Sequence, residues 1–220
     1  MSATLSPKRK TPAPPQRPPA PLPPADPPPG PIRRFTVAEY DRLIELGMLA
    51  ENDPYHLLNG VIRFKMPTNT PHISTAMKLE GLFWRMLPLE YILSIQKPVS
   101  FPNSDSQPEP DLAVVLGPAA RYEREKAGAS DVFLVVEVAD TSLAADRGEM
   151  LDIYAGGKMP EYWIVNIVER MVEVYTQPRG GKKPTYKSRT DYAAGESVPV
   201  VLGGKPVGAI AVSDILPGGN

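Results

Sequence analysis

Two acidic residues stand out by their surroundings. Asp111 follows Pro110 and opens the apolar run DLAVV, and Glu137 lies near the end of VFLVVEVAD. They are 26 residues apart, which is room for a loop, a short helix and a returning strand. A carboxylate inside so apolar a strand is costly to bury alone. Glu137 therefore reaches the strand's solvated end, pairs with an arginine, or shares a site. Asp111 by itself is ordinary loop-to-strand punctuation after proline. Together the two answer a chemical need: carboxylates on adjacent strands can hold a hard cation such as Mg²⁺ and leave positions open for water and a phosphate oxygen.

The remaining chemistry is thin. Cysteine is absent, which excludes a disulfide scaffold, a Cys-ligated zinc and a thiol nucleophile. The only two histidines, His56 and His72, are little material for a His-based metal site or a Ser-His-Asp triad. With 24 Lys+Arg against 25 Asp+Glu the chain carries a net charge of −1. That excludes a uniformly basic DNA-coating protein and leaves a local basic cleft open. Gly180-Gly181-Lys182-Lys183 reads as a basic hairpin tip, and Gly203-Gly204 lacks the context of a phosphate loop.

The elements that must position the carboxylates follow from pattern. Thr36, Glu39 and Gly47 frame a short amphipathic helix with a capping box. Asn59-Gly60 sits between two β-rich runs in YHLLNGVIRFKM, the signal of a type I′ hairpin. Residues 71–86 carry helical periodicity. YILSIQ, VSF and DLAVVL read as strands, and DVFLVVEVAD as a central strand buried on both faces. Ser142 N-caps a helix through Tyr154, stopped by Gly156-Gly157. EYWIVN and MVEVYTQ, turning at Glu169-Arg170, are two further strands, with Tyr162 and Trp163 as core. Residues 186–189 and SVPVVL extend the sheet. Helices interleaved with strands argue for one α/β domain on a mixed sheet.

The first 33 residues hold 13 of the 28 prolines and no aromatic residue. Such a segment cannot bury enough apolar surface to offset its ordering entropy, so residues 1–34 are expected to be a disordered, polyproline-II-rich tail ahead of a domain at 35–217. The tail carries a net +5, leaving −6 on residues 35–220. No secretion h-region follows Lys8–Lys10 and no 18-residue apolar run occurs, so the expected compartment is the cytoplasm, with no membrane partner.

PEPDLAVV, then LVVEVADTSLAADRGEMLDIYAGGKMPEYWIVN, then VEVYTQ resembles the bacterial Uma-two family of restriction-endonuclease-like proteins, in the PD-(D/E)XK nuclease superfamily. The likeness runs from about Phe35 to Pro217 and includes TVAEYDRL, the YHLLNG hairpin and a helix opened by His72. It implies a restriction-endonuclease-like mixed β-sheet core flanked by helices, and an Mg²⁺- or Mn²⁺-dependent endonuclease acting on DNA; it admits a homodimer. It implies Asp111, Glu137 and the carbonyl of Val138 as metal ligands. The superfamily's lysine, two residues after the acid, is Ala139 here; in the family it moves onto the next helix, where this chain has Met150. The family's glutamate in the first hairpin strand is His56.

Methionine neither donates a hydrogen bond nor carries charge, so the implied catalytic set Asp111, Glu137, His56 and Met150 describes a weakened site. Arg147 or Lys158 can replace the cation if either reaches the pocket. His56 is a base or a packed strand-edge histidine. The alternative is a nuclease fold that has lost catalysis and serves as a nucleic-acid-binding or assembly module.

Overall fold

The structure is a computed structural model that describes residues 31–50 and 52–218. The expectation of a disordered tail lies, for residues 1–30, outside the described residues. Arg33 and Arg34, counted with the tail, are engaged: Arg33 pairs with Glu39 at 2.6 Å and Arg34 donates to the carbonyl of Asn59.

The first helix, α1 (Val37–Glu45), has both halves of its capping box, with Thr36 and Glu39 bonded reciprocally. A hairpin follows, β1 (Tyr55–Leu58) and β2 (Val61–Phe64). Asn59 and Gly60 both take positive φ, +48° and +76°, as a type I′ turn requires. Next comes α2 (Thr70–Met86), with Asn69 as N-cap and Pro71 in its first turn. The chain continues through β3 (Tyr91–Ile95), the two-residue β4 (Val99–Ser100), β5 (Leu112–Leu116), β6 (Ala127–Gly128) and β7 (Val132–Ala139).

A helical segment then runs as α3 (Leu143–Ala145), a π turn (Asp146–Met150) and α4 (Leu151–Gly156). The single helix expected from Ser142 is thus interrupted. Inside the π turn the carbonyl of Asp146 accepts a 3.2 Å bond from the Tyr162 hydroxyl. Ser142 does not cap the backbone as expected; its hydroxyl donates to Asp146 Oδ2 at 2.6 Å.

After β8 (Glu161–Asn166), β9 (Met171–Arg179) and β10 (Thr185–Ala193), the chain forms a hairpin of β11 (Ser197–Leu202) and β12 (Lys205–Ala211), then α5 (Val212–Ile215). β12 was not expected, because Pro206 and Gly208 mask it. Gly203 and Gly204, φ +56° and +78°, make its turn.

The main sheet is ordered β10-β9-β8-β7-β5-β3, with only the β7–β8 pair parallel. β7 is central, as its apolar run predicts. Leu134, Val136 and Val138 face a layer that includes Leu79 and Phe83 of α2, Val198 and Val200 of β11, and Ile215. Val135 and Ala139 face the opposite layer, with Met150, Ile153 and Tyr154. Trp163 is fully buried against the first layer and Tyr162 against the second, so both are core. Each such side chain contributes about 1.5–3 kcal/mol by leaving water. Among the described residues no helix is long and apolar enough to cross a membrane.

Candidate active site

The antiparallel register of β5 and β7 pairs Leu112 with Val136, so Asp111, one residue before β5, comes opposite Glu137. The main-chain N–H of Asp111 donates to Glu137 Oε2 at 3.2 Å, and the N–H of Val138 donates to Asp111 Oδ2 at 2.8 Å. Both carboxylates are buried, each residue 8% exposed. Glu137 Oε1 accepts a 2.6 Å bond from the Tyr154 hydroxyl, and Asp111 Oδ1 accepts a 2.9 Å bond from His72 Nε2. Glu137 alternates onto the face of β7 covered by α4, where Tyr154 meets it, because its neighbours Val136 and Val138 point the other way, toward α2.

A third carboxylate joins them. Asp146, at the start of the π turn, is 6% exposed and lies close enough to repel Glu137. Burial, then Asp111, then Asp146 hold the Glu137 carboxyl well above the usual range, and the Tyr154 and Asp111 hydrogen bonds only partly oppose this. Burial pushes Asp146 up to about 6, with Ser142 and His72 opposing and Asp111 adding to the rise. His72 is drawn down by burial, but its bond to Asp111 and the charges of Asp111, Asp146 and Asp140 leave it above the ordinary imidazole value. Three buried carboxylates thus face a single imidazole, and a protein answers such an excess of negative charge by protonating or by binding a cation.

These groups line one cavity of about 1030 Å³, together with Val138, Met150, His56 and His72. His56, on β1, is held down to about 4 by burial, then by Lys65 and Arg63, so it is neutral at pH 7. Met150 is 8% exposed and packs in the apolar layer that includes Leu58, Phe101 and Tyr154. Neither expected substitute for the lysine reaches the cavity. Arg147 turns toward β9, bonding Glu173 at 2.6 Å and Glu169 at 2.7 Å. Lys158 is exposed, outside the residues lining the cavity. The cations that do line it are Arg63, Lys65, Lys97 and Lys126.

Among the described residues no group of three His, Cys, Asp or Glu side chains is arranged to hold a metal. A closed zinc-type site is therefore not present there. Two opposed carboxylates with spare lone pairs suit an ion such as Mg²⁺, which keeps several waters and uses one or two carboxylates. The chemistry of Asp111 and Glu137 fits that ion, and Val138 lines the same cavity.

Sequence reasoning missed His72, Asp146 and Tyr154 as members of this cluster. The signal was there: Ser142, Asp146, Met150 and Tyr154 recur every four residues, which puts them on one helix face. Nothing in the sequence brings His72 to Asp111.

No curated protein matches this chain. A solved structure described as a "putative nuclease belonging to DUF820" from Anabaena variabilis ATCC 29413 aligns with a TM-score of 0.58 at 16% identity, over 82% of this chain and 97% of its own. At that identity the likeness establishes the fold, a restriction-endonuclease-like mixed sheet flanked by helices. Residues 37–204, most of the folded chain, match the Uma2 family, described as "Putative restriction endonuclease". The chain belongs to the Uma2 family.

Proposed function

We propose that this protein is a divalent-metal-dependent endonuclease that hydrolyses DNA phosphodiester bonds, with Asp111, Glu137 and the Val138 carbonyl holding one Mg²⁺ or Mn²⁺ ion. The observation that carries this reading is the buried, mutually repelling set Asp111, Glu137 and Asp146 in a cavity that is also lined by four cations. Bound there, the ion supplies Lewis acidity toward a phosphate oxygen and lowers the pKa of a coordinated water. Arg63, Lys65, Lys97 and Lys126 draw the phosphates of the strand toward the cavity. His56, neutral with its pKa near 4, is a weak base, and its task is to accept a hydrogen bond from the attacking water. Met150 stands at the family's lysine position and provides neither donor nor charge. Losing such a group costs roughly 10²–10³ in rate, so the enzyme is slow.

One observation favours a second reading. Met150 packs into the apolar layer, and Arg147 is committed to Glu173 and Glu169. A nuclease fold that binds nucleic acid or assembles with a partner without cutting is consistent with that. The test is conversion of supercoiled plasmid in Mg²⁺, Mn²⁺ or EDTA. Slow metal-dependent nicking by wild type, lost in Glu137→Gln, supports the enzyme. No nicking in either metal, with oligonucleotide binding retained, supports the second reading.

A further inference from the structure

We infer that His72 is a positioning residue for Asp111, fixing its carboxylate so that the pair with Glu137 can hold a divalent cation; this rests on the metal-dependent reading above. Asp111 is clamped at three points. Its N–H is committed to Glu137 at 3.2 Å, its Oδ2 to the N–H of Val138 at 2.8 Å, and its Oδ1 to His72 Nε2 at 2.9 Å. Among the described residues His72 is the only side chain that donates to Asp111. The two side chains are 12% and 11% exposed, so water is a poor substitute for the bond.

His72 is itself held. Its N–H donates to Asn69 Oδ1 at 3.1 Å, and Asn69 Nδ2 donates to Asp140 Oδ2 at 2.5 Å, just beyond the end of β7. The first turn of α2 is thereby latched to both acid-bearing strands, at Asp111 before β5 and at Asp140 after β7. With one lone pair of each Asp111 oxygen engaged, the carboxylate plane is fixed and a second lone pair stays free on each oxygen. A group that acts through a ligand in this way typically governs metal affinity by 10–100-fold.

The experiment measures Mn²⁺ binding by isothermal titration calorimetry on the full chain, with wild type, His72→Gln, His72→Asn and His72→Leu. Glutamine offers an N–H at close to the reach of histidine Nε2; asparagine offers one that is too short; leucine offers none. The expected result is wild-type-like binding for Gln and roughly 10–100-fold weaker binding for Leu and Asn. Melting in EDTA reports whether each variant folds. Should Leu fail to fold, the Asn and Gln proteins decide: weaker binding by Asn supports the inference and equal binding overturns it. Equal affinity in all four proteins overturns it while leaving the metal site standing. A wild type that binds no Mn²⁺ overturns the metal-dependent reading, and the inference with it.

Discussion

Asp146→Asn tests the electrostatics of the acidic cluster without any activity assay. Asp146 titrates at about 6 in the folded protein against 3.8 for an unperturbed aspartate. Because the folded pKa is raised, the native state holds a proton between these two values that the unfolded chain has already released. Stability therefore falls as the pH climbs through that window and stays low above it. A displacement of about two units, at 1.36 kcal/mol each, amounts to roughly 3 kcal/mol at pH 7.5 and close to nothing at pH 4. Asparagine removes the charge and keeps an oxygen to accept from Ser142. The metal-free variant should exceed wild type by up to about 3 kcal/mol at pH 7.5, or roughly 6–12 °C in Tm for a domain of this size, and match it at pH 4. Urea unfolding in EDTA at the two pH values measures the difference. A variant that is no more stable than wild type at pH 7.5, or equally shifted at both pH values, refutes the account of a repelling, buried cluster.

Two other substitutions probe neighbouring parts of the same architecture. Met150→Lys, which places an ammonium on the helix face shared with Asp146 and Tyr154, should raise Mg²⁺-dependent plasmid nicking by up to roughly 10²–10³, and Glu137→Ala in the same background should abolish the gain; a robust wild-type rate left unchanged by the lysine counts against the weakened site. Arg147→Ala strips the closest cation from Glu173, whose side chain is fully buried and retains Arg189 at 3.4 Å, so stability should fall by about 3 kcal/mol in urea melts; a loss under about 1 kcal/mol means that Asn166, Tyr175 and Arg189 suffice.

What the sequence disclosed was what local pattern can encode. The α1 capping box, the Asn59-Gly60 turn and the doubly buried β7 each rest on residues within one element, and each is present. The meeting of Asp111 with Glu137 needed only a register, and alternation along β7 supplied it. Features made by contacts between distant segments were hidden. The π turn carries a contact of this kind, the Tyr162 hydroxyl of β8 bonded to the carbonyl of Asp146. Ser142 looks like a cap in sequence, but its backbone already lies in the helical region (φ −86°, ψ −7°) rather than the extended one a cap takes, and its hydroxyl bonds Asp146 instead. Arg147 read as a stand-in for lysine by proximity along the chain, but Glu173, placed across the sheet opposite Ile164 of β8, draws it away. β12 was masked by Pro206 and Gly208, which a short two-stranded ribbon tolerates.

The charge on residues 35–220, a net −6, is unfavourable for the proposed function, which requires approach to a polyanion. The cavity resolves part of this by sorting charge rather than by adding it. Lys65 is paired with Glu109 at 2.5 Å, Arg63 with Glu149 at 2.6 Å, and Lys126 with Asp41. Among the described residues Lys97 lines the cavity without an ion pair. A phosphate entering the cavity therefore meets one free cation at once and recruits the others only by displacing carboxylates. Partly exposed pairs of this kind are worth about 0–1 kcal/mol each, so the exchange is cheap per contact. It still cancels much of the attraction that free lysines would give. Screening by salt weakens phosphate attraction and internal pairs together, so binding to nucleic acid through this rim should depend less steeply on ionic strength than a count of four cations suggests.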